Sequence, residues 1–389
     1  MKNIAAVLIF AGVMVGASIA SAGPPTRAQV EKIMGLRSEG DLVRGQMDAV
    51  GFVVTADQAE DVLTHAIEAE SNALANDRAR LHLTPGEGVA AVVCPHDDHL
   101  YAARVYVHAT QLIRAPRVIM IGVFHKARLW NLSDRLVFDR FEAWHGPWGP
   151  VRVDPLRQEL LARMPARDVI VSDTMQCREH SLEAIVPFLE YGNRNVRIVP
   201  ILVPYMGWNR LAQLADHFSS ALAVIMKHHH WIFGKDVAVV ISTDLVHYGP
   251  DFQYAPFGTD MKAYAQATAQ DHHLIHDDLE GPLSASRLHT LLDTLVDPAN
   301  PHVYKIPWCG RFSVPFGLEM FRETTEKLGV PDPSGTLLRY GTSLSEPELP
   351  VSEQTRKEGL GYTAPSNFSH WVGYGAIAYV IPRKAGGRG

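Results

Sequence analysis

Six residues able to bind a metal or carry a proton follow apolar runs of this chain: His96, His99, His125, Asp244, His247 and Cys309. Imidazole, carboxylate and thiolate are the common protein ligands of first-row transition metals. Imidazole also titrates near neutral pH, which suits it to acid–base work. Any one of them alone is ordinary. A histidine at a strand end commonly makes a structural hydrogen bond, and a cysteine commonly packs as a small apolar side chain. Several converging on one sheet edge would make a site.

The surrounding pattern leads to that expectation. Val89-Ala90-Ala91-Val92-Val93-Cys94 follows Gly86 and Gly88 and reads as a buried strand. Pro95 lacks an N–H and ends it, leaving His96 just past the carboxyl end. Tyr101 to Arg114 reads as a helix and Arg117 to Gly122 as a second strand, with His125 shortly beyond. A β-α-β unit of this kind makes the two strands parallel, and adjacent in the simplest arrangement. Asp236 to Ser242 is a third core strand, followed at once by Thr243-Asp244-Leu245-Val246-His247-Tyr248-Gly249. Open α/β sheets hold their ligands at such carboxyl ends.

Other elements fit the same plan. Thr55 and Gln58 form a capping box that opens a helix running to about Leu81. Glu179-His180-Ser181-Leu182-Glu183 is expected to open a helix, its carboxylates complementing the helix dipole. Further helices are expected over 208–228, through most of 260–295, and over 314–328. Further strands are expected over 196–203, 337–340 and 375–381. Strands and helices alternate, so the expected fold class is α/β: a single domain with a largely parallel central sheet flanked by helices.

Two histidine clusters have plainer readings. Lys227-His228-His229-His230 ends a helix, where cationic side chains are favourable. His272 and His276 share a helix face at metal-pair spacing, but no Glu follows His272, and a solvated polar face is the simpler account. The chain has three cysteines, so at least one stays outside any internal disulfide; a Cys94–Cys177 pair is left open by the sequence.

The chain has 389 residues, 47% of them hydrophobic, enough for a large core. Its formal net charge of -6 and lack of basic blocks argue against a nucleic-acid partner. Residues 1–22 read as a cleavable signal peptide: Lys2 is the positive start, Ile4 to Val15 the apolar stretch, and Ala20-Ser21-Ala22 the cleavage motif before Gly23. The expected address is the bacterial periplasm or the exterior, with no membrane insertion once the leader is removed.

Taken together, several motifs resemble those of the Memo family (Memo-like, or AmmeMemoRadiSam system protein B), which is similar in fold to the class III extradiol ring-cleaving dioxygenases. They are Pro95-His96, Ile121-Gly122 with His125, Glu179-His180-Ser181-Leu182-Glu183 with Pro187-Phe188-Leu189, and Ser242-Thr243-Asp244-Leu245-Val246-His247-Tyr248-Gly249. Cys309-Gly310-Arg311 and Val372-Gly373-Tyr374 complete the set. The resemblance implies an extension over 23–42 and a Memo-like α/β metal-binding domain over 43–389. It also implies one transition metal held by His96, His125 and Cys309, with Asp244, His247 and His180 lining the pocket. A thiolate in place of the dioxygenases' carboxylate favours copper or zinc without excluding iron. The chain departs from the family at Asp97-Asp98, where Ala-Gly is usual, at Phe52-Val53-Val54, where Phe-Tyr-Pro is usual, and at Gly122-Val123-Phe124-His125-Lys126, where Gly-Pro-Ser-His-His is usual.

The leading expectation is an exported metalloprotein with a mononuclear His/His/Cys site, acting as a redox enzyme or oxygenase with iron or copper. His247 is expected to be a general acid/base rather than a ligand. Asp244 would fix its tautomer or orient a metal-bound water, and His180 would donate a second proton or a hydrogen bond. The alternatives are a zinc hydrolase or deacetylase using Asp97 or Asp98 as base, and a non-catalytic module that binds metal and a peptide. The ligand, small molecule or peptide, is not specified by the sequence.

Overall fold

A computed structural model of the protein describes residues 42–382. The expected leader and, save for Leu42, the expected extension lie outside these residues. Ten strands form the central sheet: β1 (Ala91–Cys94), β2 (Arg117–Val123), β3 (Leu136–Phe138), β4 (Val169–Val171), β5 (Arg197–Val203), β6 (Val237–Ser242), β7 (His247–Tyr248), β8 (Gly281–Pro282), β9 (Ser334–Thr342) and β10 (Trp371–Val380). Their order is β8-β9-β10-β1-β6-β2-β5-β3-β4, with β7 paired to β10 beside this path. The middle four, β1-β6-β2-β5, are parallel, and β8, β9 and β10 extend the sheet antiparallel. The α/β fold and parallel centre are as expected.

One expectation is corrected. β1 and β2 are parallel but not adjacent, because β6 lies between them and pairs with both, Ala91 with Val239 and Ile119 with Val239. All of β6 is buried, and the middle of a parallel sheet is where a wholly apolar strand loses least by giving up water. This insertion shapes the site. Three neighbouring strands now end side by side at Cys94, Ser242 and Val123, and each delivers a polar side chain two residues later: His96, Asp244 and His125.

The helices bearing on the site are α1 (Ala56–Arg80), α2 (His99–Thr110), α3 (Val186–Gly192), α4 (Trp208–His229), α5 (Met261–Leu274), α6 (Ala285–Leu295) and α7 (Ser313–Leu328). The Thr55–Gln58 capping box is formed, which contributes about 1 kcal/mol to the start of α1. Helix α2 packs on β1, β9 and β10, while α7 packs on β6, β2 and β5. The stretch 260–295 is not one helix. A π-helical turn, Ile275–Leu279, separates α5 from α6, and His276 is solvated there with a 77% exposed side chain.

The segment Glu179–Glu183 is a turn, and α3 begins only at Val186. Both carboxylates are buried and bound to distant groups instead of a helix end. Glu183 pairs with Arg44 at 2.5 Å and accepts the N–H groups of Met47 and Asp48. Leu182 closes on Gly122, where an added Cβ would fall 2.6 Å from Leu182 Cγ. The turn is thereby clamped between the first described residues and β2. All three cysteines are free thiols. Cys94 sits in the β1–β6 ladder opposite Ser242 and Cys177 caps the short helix Asp173–Gln176, so the disulfide left open by the sequence is not formed.

Candidate metal centre

Cys309 reaches the strand ends through a docked turn. Its N–H donates to Asp244 O at 3.2 Å, and the Gly310 N–H donates to Thr243 Oγ1 at 2.9 Å. A Cβ at Gly310 would lie 2.3 Å from Thr243 Cβ, so only glycine permits this approach. Ser313, at the start of α7, then donates to Ser242 O. The donor atoms of His96, His125 and Cys309 come within 4.8 Å of one another, as do those of Asp244, His247 and Cys309. Nε2 of His125 lies 3.2 Å from Cys309 Sγ, and Nε2 of His247 lies 3.3 Å from it.

Hydrogen bonds orient each ring. Ser242 donates its only hydroxyl proton to Ser181 O at 2.6 Å, so its oxygen must accept from His96 Nδ1–H at 2.7 Å. His125 Nδ1–H donates to Glu179 Oε1 at 2.9 Å, and His247 Nδ1–H to Leu245 O at 3.2 Å. All three imidazoles therefore present Nε2 to the cluster. This is the arrangement in which an outer acceptor fixes the tautomer of a ligating histidine. Of the two roles expected of Asp244, fixing the His247 tautomer falls instead to the Leu245 carbonyl. Asp244 Oδ1 accepts the His96 backbone N–H at 2.9 Å.

The donor set fits a cation. His96 is 1% exposed, and its Nε2 is buried without a hydrogen-bond partner. Asp244 Oδ2 stands 3.3 Å away but out of alignment. A buried lone pair facing a carboxylate calls for a positive charge between or beside them. Burial alone would raise the Cys309 thiol, yet His247 and His125 beside it outweigh that and hold it well below its usual range. The ligand form of the sulfur is thus ready. Burial disfavours charge on His247, but the Cys309 thiolate, Asp244 and Asp97 push it up to about 9. His125 is likewise held high against burial by Glu179 and Cys309.

The remaining expected residues are distributed around this cluster. His180 stacks on His125, with ring centroids 4.8 Å apart, and burial with the neighbouring His125 charge pushes it down to about 3. It is a neutral imidazole beside the centre. His99 is excluded from the site. Its Nδ1 accepts Val53 N–H and its Nε2–H donates to Ala184 O, so neither nitrogen is left. Of the two carboxylates proposed as bases, Asp98 accepts from Thr363 N at 2.5 Å and from its hydroxyl, while Asp97 Oδ2 accepts from Tyr374 OH at 2.6 Å. Two cavities adjoin the cluster, and Cys309 lines the smaller. One of about 250 Å³ is lined by His247, Asp97 and Asp98, and one of about 200 Å³ by His125, Cys309 and Arg311.

Comparison with known proteins accords with this arrangement. The family model described as Memo-like protein matches residues 60–348. The chain belongs to the Memo family. Similar curated relatives are MEMO1 family proteins of Methanothermobacter thermautotrophicus, 27% identical over 47% of this chain and 62% of the relative, and of Caldivirga maquilingensis, 30% identical over 42% and 54%. A MEMO1 family protein of Pyrococcus furiosus is 30% identical over 43% of this chain and 56% of its own length. The chain thus spans little more than half the length of these Memo relatives. Residues 349–382 follow the matched region, and they supply β10 and Thr363, the partner of Asp98.

Sequence reasoning missed the residues that orient the Memo site. Glu179 was visible in the Glu-His-Ser-Leu-Glu motif, but a helix start already accounted for two acidic residues there. Ser242 and Leu245 carried no signal of their own.

Proposed function

We propose that this Memo-family chain is an exported metalloprotein whose His96, His125 and Cys309 hold one transition-metal ion, iron or copper, in a redox enzyme or oxygenase acting on a small molecule. The observation that carries this reading is the buried, unpartnered Nε2 of His96, placed with His125 Nε2 and the Cys309 thiolate. When bound, such an ion would supply electron transfer or Lewis acidity at the thiolate. Glu179 and Ser242 hold the His125 and His96 rings so that Nε2 stays directed inward. His247 keeps a proton at Nε2, next to both the sulfur and the larger of the two cavities, and is the group placed to deliver it. His180 stays neutral and can make a hydrogen bond to a ligand.

A second reading has a specific observation behind it. His247 Nε2 is as near the sulfur as His125 Nε2. A fourth protein ligand would close a tetrahedral site and make it structural, the centre of a non-catalytic module. His247→Gln separates the readings. Retained metal with turnover reduced ~10²-fold fits an acid–base residue, whereas lost metal makes His247 a ligand. Metal analysis of untagged protein from the periplasm tests the metal: activity with redox-inert zinc alone would favour hydrolysis. Export is tested by the mature N-terminus, which mass spectrometry should place at Gly23; an intact Met1 in the membrane fraction would overturn it.

A further inference from the structure

The cavity beside His125 and Cys309 holds charge that the metal centre does not use. Arg128 and Arg311 both line it. Their guanidiniums lie over one ring, with Cζ of Arg311 3.4 Å and Cζ of Arg128 4.6 Å from the Tyr304 centroid. Arg311 donates to Trp308 O and Arg128 to His302 O, both backbone carbonyls. Among the described residues neither guanidinium has a carboxylate within ion-pair distance, and the buried Nε of Arg311 has no acceptor. Both fully buried arginines among the described residues do have one, Arg44 with Glu183 and Arg157 with Asp139, as does half-buried Arg322 with Glu319.

Two like charges held against one aromatic ring repel each other unless an anion joins them. Stacking on Tyr304 fixes the plane of Arg311, and a guanidinium fixed in its plane offers an edge matched to the two oxygens of a carboxylate. The volume, about 200 Å³, admits a small acid rather than a polymer. Cys309 and His125 form another wall of the same space. A ligand held by the arginines would therefore have its remaining atoms beside the metal centre.

We propose that this cavity binds the carboxylate of a small organic acid, with Arg311 as its principal contact and Arg128 beside it. The inference deepens the reading of the site as a metal centre and rests on it for the role of the bound acid. The test is calorimetric titration of the full chain with benzoate, benzamide and inorganic phosphate, before and after metal removal, with metal content measured on each sample. Benzoate should bind saturably, and benzamide, which lacks the charge, at least tenfold more weakly. Arg311→Gln should weaken benzoate ~10-fold or more, and Arg128→Gln, at an exposed position, a few-fold, the range expected for charge-assisted hydrogen bonds. Arg311→Lys, which keeps the charge and loses the fork, should fall between. Equal binding of benzamide and benzoate, tighter binding of phosphate, or unchanged benzoate affinity in both Gln variants would overturn the proposal. Arginine-dependent benzoate binding in a chain that takes up no metal would sustain the pocket and defeat the metal reading. Metal uptake without benzoate binding would do the reverse.

Discussion

Two groups of histidines in this chain are built to opposite ends. Between α1, α2 and β9, His108 is fully buried, with Nδ1 2.5 Å from Asp77 Oδ2 and Nε2 3.2 Å from Glu70 Oε2. Arg339 and Arg80 flank those carboxylates. Both ring nitrogens are closed by carboxylates, which arginines pair in turn. At the strand ends, His96, His125 and His247 each have Nδ1 closed and Nε2 turned toward one thiolate. Residue type does not separate the two groups, and burial does so only in part, since His96 is as buried as His108 while His247 is half-buried and His125 exposed. The count of ring nitrogens left without a hard partner does, and His99, with both nitrogens bound by backbone, falls with His108.

The largest effect should come from the ligands. Cys309→Ser or His125→Ala should drop bound metal from one per chain to none after dialysis against a chelator, exceeding the ~10–100-fold loss typical when only an orienting partner is removed. His108→Gln in the same assay should leave metal content unchanged; if metal followed His108 instead, the contrast would collapse.

The His108 group should show up in stability. Breaking a buried, paired charge costs ~3–5 kcal/mol, so His108→Ala should lower the urea midpoint markedly with metal binding intact. The pH dependence has a definite sign. Burial opposes charge on His108, but Asp77 and Glu70 raise its pKa above the ordinary value. Its contribution is complete below the unfolded pKa of about 6.5 and fades as pH rises through the higher folded value. Glu70 is lowered against burial by His108 and Arg339, so its contribution is lost as pH falls toward the folded value. The gap between wild type and variant should be widest from about pH 4.5 to 6.5 and narrow as pH rises through the folded His108 value.

Smaller effects sharpen the role of the outer acceptors. Glu179→Gln should weaken metal affinity ~10–100-fold by loosening the His125 ring. Ser242→Ala removes the acceptor of His96 Nδ1–H, a neutral hydrogen bond of about 1 kcal/mol, along with the bond to Ser181 O, so a loss of several-fold is expected. Isothermal titration with the metal reads both, and a Ser242→Ala loss larger than that of Glu179→Gln would reverse the ranking.

Much of this could be read from the chain. β1, β2, β5 and β6 are apolar, β-branched runs bounded by Gly, Pro or polar residues, and little else can be made of them. Residue type and position gave six candidates, and it was the resemblance to the Memo motifs that singled out His96, His125 and Cys309 among them. What escaped depends on contacts distant in sequence. The Glu179 turn is fixed by Arg44, 135 residues earlier, whose guanidinium binds the Glu179 carbonyl. β6 enters between β1 and β2 although more than a hundred residues separate it from either. His99 looked equivalent to His96, but three further residues put it at the start of α2, between a backbone donor, Val53 N–H, and a backbone acceptor, Ala184 O.

The three free thiols make the protein a selective chemical target. Burial, with Asp244 nearby, pushes Cys94 well above its usual range, and burial pushes Cys177 up to about 11 despite Arg44. Only Cys309 is held as the anion, and it faces a cavity. Thiolates, not thiols, react with alkylating agents and peroxides. A single iodoacetamide adduct on Cys309 should therefore form in metal-free protein and be blocked when the sulfur is coordinated. The extent of labelling then counts vacant sites, and an oxidising surrounding would damage the chain first at the residue its metal would otherwise shield.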